Sequence, residues 1–372
     1  MKQFNKTSLI KMFEKNSIKL KKKDKKIYLK LFRFINFLKQ VEELLEKNYH
    51  PDDNMKCPMH FTHGQECVPA ALNLLLNKDD YLFSHHRSHG YYLAKNCPPE
   101  QLFAELHGKE TGANGGMAGS QDISYEKNNF FSGAILAGAV SIAVGTALSL
   151  KLKKSKNIVV SCFGESATDQ GVFWESINYS SLQNLPILFI CENNNLSVFT
   201  PQDQRQSGES ISVKSKSFGI KSSQVFGNNP INVYDTIQKA FRYIKKKQKP
   251  YLIEFLTFRT MSHVGPLSDD PSGLKDTKDY NFWVKNNPRD VFKDKLITNN
   301  FLTNEEYLRM YKNNIRKIQK LFKFAKISKF QKIKKFEYKN FDNSSNKYLK
   351  NIKKLERKKF HFNQKIIQAK GY

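Results

Sequence analysis

Residues 157–200 read NIVVSCFGESATDQGVFWESINYSSLQNLPILFICENNNLSVFT, and the fold turns on how this stretch is read. Residues 158–163 are a short apolar, β-branched run bounded by Gly164, which predicts a buried strand. Residues 171–182 carry apolar side chains at helical spacing. Residues 185–191 predict a second buried strand, which runs into Glu192, Asn193 and Asn194. Strand, helix, strand is the βαβ unit of a parallel sheet. In such sheets ligands gather at the carboxyl ends of the strands. Glu165 follows the first strand and Asn194, 29 positions later, follows the second. A carboxylate, an amide oxygen and a backbone carbonyl suit a hard divalent cation that keeps part of its shell for phosphate oxygens. The same residues also fit a βαβ unit closed by an ordinary polar loop.

The chain of 372 residues is long enough for one large or two modest cores. Its five cysteines (Cys57, Cys67, Cys97, Cys162, Cys191) form no CxxC pair, which argues against a zinc ribbon or a disulfide framework. That usage suits a reducing compartment, and the opening MKQFNKTSLIKMFEK lacks the apolar run of a signal peptide, so a cytoplasmic location is expected. Residues 134–150, AILAGAVSIAVGTALSL, are uncharged but short for a span and rich in small residues. They predict a helix packed tightly inside the protein or against a subunit, and no membrane span. The formal net charge of +28 collects partly in KLKKKDKK (19–26) and beyond Arg316. No zinc-finger, RNP-type or basic-zipper spacing accompanies it, so nucleic acid is not the expected partner.

Residues 1–50 predict basic amphipathic helices, with Leu31, Phe32, Ile35, Leu38, Val41, Leu44 and Leu45 at helical spacing. Gly64-Gln65-Glu66 predicts a helix start with its acidic residue in the favourable first turn. Residues 81–83 predict a strand that leads into His85, His86, Arg87, Ser88 and His89. Three histidines invite a metal reading, but Arg87 among them would repel a cation and is better suited to forking a phosphate. Residues 108–121, GKETGANGGMAGSQ, hold five glycines and predict an irregular loop of close backbone approach. Residues 197–212 also read as loop. Residues 232–247 predict a helix and 251–257 a buried strand that points Arg259 and His263 at the same edge as Glu165 and Asn194. Residues 268–292 begin as a polar loop, and from 303 onward the chain reads as basic helix.

These motifs carry a resemblance. GESATDQGVFWESINYSSLQNLP, with ENN following, resembles the thiamine diphosphate motif, GDG and then NN. More narrowly, it resembles the alpha subunits of 2-oxo acid dehydrogenase E1 components, the pyruvate, branched-chain and acetoin enzymes among them. The likeness extends over about residues 30–322, through GQE, RSHG, the glycine loop and FRTMSH. It implies an α/β chain of the thiamine diphosphate-binding fold, a parallel sheet with helices on both faces. It also implies three parts: a basic extension (1–30), an E1 alpha-like domain (31–322) and a basic tail (323–372). Two departures stand in the central motif, where the usual Asp is Glu165 and the second Gly is Ser166.

The resemblance implies a site. Glu165, Asn194 and the carbonyl of Leu196 would hold Mg²⁺, with Gly164, Ser166 and Ala167 beside the cofactor. Arg87 would bind the diphosphate, and His86, which stands where relatives have Tyr, would share that pocket. Ile135 and Ala137 would lie near the aminopyrimidine. His263 would bind cofactor and act catalytically. Gln121 replaces a family His, and Val264 replaces the Ser through which some relatives are regulated. The implied reaction is decarboxylation of a 2-oxo acid, or cleavage of acetoin, with the acyl group passed to a lipoyl acceptor on an E2 partner. One cofactor half-site is present, so the implied assembly pairs the chain with an E1 beta-type subunit as α2β2. Two other readings stand beside it: a non-catalytic alpha-like subunit, and a basic scaffold that binds anionic polymer through its tails.

Overall fold

The structure is a computed structural model and describes residues 6–49, 55, 57–266 and 277–331. The chain opens with α1 (Lys6–Lys15) and α2 (Lys25–Tyr49), then α3 (Cys67–Leu75), β1 (Tyr81–Ser84), α4 (His89–Ala94) and α5 (Pro99–Leu106). Next come β2 (Phe130–Ser132), α6 (Gly138–Leu152), β3 (Val159–Gly164), α7 (Gly171–Leu182) and β4 (Ile187–Asn193). A two-stranded ribbon follows, β5 (Leu196–Ser197) and β6 (Thr200–Pro201), then α8 (Ile211–Lys216), β7 (Lys221–Phe226), α9 (Pro230–Lys247) and β8 (Tyr251–Leu256). The described chain ends with α10 (Thr277–Lys285), α11 (Pro288–Thr298) and α12 (Asn304–Ile327).

Six strands form one sheet in the order β2-β1-β3-β4-β8-β7. Every neighbouring pair is parallel. Parallel strands buried on both faces read as continuous apolar runs, which is what residues 158–163 and 185–191 display. Successive side chains still alternate between faces. Val160, Cys162, Leu188 and Ile190 join the core under α2, α3, α9 and α12. Val159, Phe163, Ile187, Phe189 and Cys191 join the opposite core under α6 and α7. The expected α/β class, a parallel sheet between two helical layers, is the observed one. The helix predicted at 171–182 coincides with α7, and the strand predicted at 251–257 with β8.

Three local expectations change in detail. Glu66 stands at the cap position before α3, not in its first turn. Its carboxylate accepts the Gly64 N–H at 3.0 Å, which closes the turn entering the helix. The 197–212 loop contains the β5–β6 ribbon and the start of α8. The helix expected from residue 134 begins at Gly138, after a turn through Ala137 at φ +60°.

The described residues up to Phe330 form one compact unit. Helix α1 packs into it through Leu9 and Phe13, which meet Phe226 and Trp283. Helix α12 runs past residue 322 with Phe322 and Ala325 in the core. Most of the expected 323–372 tail, and most of the loop in 268–292, lie outside the described residues.

Candidate functional site

Because the strands are parallel, their carboxyl ends share one edge, and a cavity of about 270 Å³ opens there. Four strands feed it. β3 delivers Gly164, Glu165 and Ser166, and β4 delivers Glu192 and Asn194. β1 delivers His85, His86 and Arg87, and β8 leads to Arg259 and His263.

Glu165 is buried and begins a 3-10 turn directly after β3. Its Oε1 accepts from Arg205 Nη2 at 2.7 Å. The same guanidinium pairs with Asp169. Burial pushes the Glu165 carboxyl up to about 7, and Arg205 pulls against that rise. Beyond β4 the chain turns sharply, with Asn195 at φ +68° and Val198 at φ +52°. Asn193 fixes this turn by donating to Glu254 at 2.8 Å and Gln202 at 2.9 Å, while its oxygen accepts the Asn195 N–H at 2.9 Å. Asn194 is thereby turned into the cavity. Its amide donates to Gln65 at 3.3 Å and its oxygen accepts the Leu196 N–H at 3.1 Å.

Arg87 is buried and donates to the carbonyl of Phe61. Phe61 lies on the strap 59–65, which crosses the end of β8. Gly64 makes that crossing possible: at φ +88°, a Cβ there would stand 2.4 Å from the Phe258 carbonyl oxygen. The strap carries His60 and Gln65 into the cavity. Arg259, also buried, donates to the Val198 carbonyl at 3.1 Å and lies 3.5 Å from His263 Nδ1. The rings of His60, His86 and His263 meet with centroids 4.6, 4.8 and 5.3 Å apart. Burial, with Arg87 and the neighbouring imidazoles, pushes His60 down to about 2. Burial also holds His86 well below the ordinary histidine range.

Of the residues expected at the site, His86, Arg87, Gly164, Glu165, Ser166, Asn194, Leu196 and His263 line the cavity, as does Gln121. Ile135, Ala137 and Ala167 do not. Ile135 points outward and is 80% exposed, while Ala137 and Ala167 are buried in the core under α6 and α7. The lining residues of that segment are Ala134 and Leu136. The turn before α6 thus brings Ala134 and Leu136, rather than Ile135 and Ala137, to the wall of this cavity. His60, Gln65, Glu192 and Arg205 were not singled out from sequence. Only HFTHGQE, with two histidines just before the helix start, offered a signal for His60 and Gln65. Arg205 is placed by the ribbon after β4, a contact 40 residues long in sequence.

Two further networks brace the site. Buried Glu42 of α2 meets His89 Nδ1 at 2.9 Å, and His89 Nε2 meets the Ser120 hydroxyl at 2.7 Å. Glu105 of α5 gathers the glycine loop: its carboxylate accepts the N–H groups of Asn114, Gly116, Ala118 and Gly119 at 2.7–3.2 Å. The loop delivers Gln121 to the cavity.

The donor set fits a phosphorylated cofactor with a hard cation. The oxygens come from a carboxylate, an amide and backbone, and a buried arginine stands opposite. A Cβ at Gly164 would meet no protein atom within 4 Å, so space is left beside the carboxylate. Among known proteins, the chain is 31% identical over 238 residues to the alpha subunit of acetoin:2,6-dichlorophenolindophenol oxidoreductase of Bacillus subtilis, covering 64% of this chain and 70% of that one. It is 31% identical over 256 residues to the pyruvate dehydrogenase E1 component subunit alpha of Porphyra purpurea, covering 67% and 74%. It is 27% identical over 295 residues to the corresponding subunit of Rickettsia bellii, covering 79% and 89%. The pattern of the dehydrogenase E1 component family matches residues 35–334, and with the parallel sheet and the motifs at its edge this places the chain in that family.

Proposed function

We propose that the cavity binds thiamine diphosphate with Mg²⁺, and that the chain is the alpha-type subunit of an E1 oxidoreductase acting on a 2-oxo acid or on acetoin. The observation that carries this reading is the convergence of Glu165, Asn194 and Arg87 on one cavity from three different strand ends. Glu165, Asn194 and the Leu196 carbonyl would hold the cation, and Arg87 would hold the diphosphate. The bound cofactor supplies the nucleophilic carbon that adds to the carbonyl and lets carbon dioxide leave. The protein positions it and moves protons. His263 and His60 line the cavity, and burial holds His60 well below the ordinary histidine range, so that it presents a neutral imidazole toward the substrate space. Arg259 holds the segment carrying His263 against Val198 and offers charge to a carboxylate.

A beta-type partner is proposed to supply the groups for the aminopyrimidine end, giving an α2β2 assembly with its site between subunits. A lipoyl-bearing E2 would take the acyl group. Among the described residues no helix is long and apolar enough to cross a membrane. The five cysteines are free, which supports a reducing, cytoplasmic setting.

Calorimetric titration of thiamine diphosphate and Mg²⁺ into the chain with its beta-type partner tests this, beside Glu165→Ala. Saturable binding that the variant loses is expected. No binding by a well-folded complex would overturn the catalytic reading and leave a non-catalytic alpha-like subunit.

A further inference from the structure

His60, His86 and His263 come from three separate segments: the strap before α3, the loop after β1 and the loop after β8. One ring nitrogen of each lies within 4.8 Å of the other two. His60 is 4% exposed, and its Nδ1 is enclosed without a hydrogen-bond partner. An enclosed, unpartnered nitrogen costs free energy and calls for a ligand. The metal reading considered from sequence grouped His85, His86 and His89 instead. Folding separates those, because His89 is taken by Glu42 and Ser120 and His85 faces Glu192.

Neutral imidazoles suit borderline transition metals, whereas hard cations prefer oxygen sets such as Glu165 with Asn194. Four-coordinate zinc at about 2.0–2.1 Å from nitrogen wants its ligands about 3.4 Å apart. The nitrogens, up to 4.8 Å apart, must close in to reach that spacing when an ion binds. Arg87 and Arg259 oppose a cation here, and Glu192 in the same cavity offsets part of that charge, since Glu165 is already paired with Arg205. We propose that His60, His86 and His263 form a transition-metal site that takes a Zn²⁺-class ion on three imidazoles and leaves a fourth position open to the cavity. His86 decides it, since the resembling family has Tyr at this position. Binding of the ion needs neither thiamine diphosphate nor Mg²⁺, but His60, His86 and His263 line the same cavity as Arg87, Glu165 and Asn194, so the ion and the proposed cofactor would compete for it.

The test is a Co²⁺ titration of the full chain followed by visible absorption, with Zn²⁺ competition and no thiamine diphosphate present. One Co²⁺ per chain with the intense bands of a four-coordinate site is expected, displaced by Zn²⁺. His86→Tyr and His263→Ala, both at partly exposed positions, should each weaken binding by more than about 10-fold. Circular dichroism checks that they remain folded, and Glu165→Ala should keep the bands. Absence of such bands, or binding unchanged in His86→Tyr, would overturn the site. Bands lost in Glu165→Ala but kept in the histidine variants would assign the ion to the oxygen set instead. Thiolate charge-transfer bands would assign it to a cysteine.

Discussion

Glu165 has a guanidinium where a divalent cation would also be stabilised. Arg205 bonds its carboxylate at 2.7 Å in a buried setting, and Asp169 holds the other arm of the same arginine. Arginine and Mg²⁺ therefore compete for one carboxylate, and like charges at such range repel. Arg205→Gln should tighten Mg²⁺ by about 5–10-fold, a differential on the scale of 1 kcal/mol. Mg²⁺ titration of the folded variant, with Mn²⁺ as a paramagnetic probe, measures this directly. An affinity unchanged or weaker would mean that Arg205 supports the site rather than competing for it. A second residue-scale case is Glu42. Burial raises its carboxyl, but His89 and the Thr62 N–H outweigh burial and leave it below the usual carboxylate range. A carboxylate with a depressed folded value contributes stability above its unfolded value near 4.5, and that stability fades as pH falls toward the folded value. Urea melts should therefore lose up to about 1.4 kcal/mol per pH unit from this group below about pH 4.5. Glu42→Gln should remove that component of the slope while costing about 1–3 kcal/mol at neutral pH. A variant whose melts keep the full acid slope would place the titration elsewhere.

Among the elements, the glycine loop 108–121 depends on a residue outside it. Four backbone donors converge on Glu105, and Gly116 passes so close to Gly108 that a Cβ would stand 2.4 Å from its carbonyl carbon. A charged acceptor with several donors is strong, and its removal leaves four half-buried N–H groups without this acceptor. Glu105→Ala should therefore cost more than about 2 kcal/mol. It should also raise hydrogen exchange at Asn114, Gly116, Ala118 and Gly119, with strands β3 and β4 unchanged. Exchange spread evenly over the sheet would argue for a general packing loss instead. The same element marks where sequence reading ran out. Helix α7 and strand β8 were legible because hydrophobic period and breaker residues define them locally. Glu165, Asn194, Arg87 and His263 were legible because each follows a readable strand. Glu105 reads as one polar position in QLFAEL, and nothing local says that it faces a loop. His60 and Arg205 are likewise placed by tertiary crossings, the Gly64 strap and the β5–β6 ribbon. Which of residues 134–137 would face the cavity was not legible, because they form a turn where no period constrains the register.

At the scale of the whole molecule, helices α6 and α7 leave apolar surface uncovered. Ile142 is 63% exposed, Leu182 71%, Leu152 74% and Tyr179 41%. Ile135, 80% exposed, lies just before α6 beside the cavity-lining Leu136. The sequence predicted that residues 134–150, apolar on every side, would pack inside the protein or against a subunit. Only one side does so within this chain, through Val140, Ala143, Val144 and Ala147. Exposed apolar surface beside the proposed cofactor cavity is the expected face of an obligate partner. Ile142→Glu puts a charge on that face without disturbing the core on the other side of α6. The variant should fold with a melting temperature close to that of the parent, since surface substitutions usually change stability by less than about 0.5 kcal/mol. Co-purification with the beta-type subunit should fall by at least about 10-fold, as for a charge buried unpaired in an interface. With the site shared between subunits as proposed, thiamine diphosphate retention should fall in parallel. An intact complex carrying Ile142→Glu would move the partner to another face and leave this apolar surface without its proposed role.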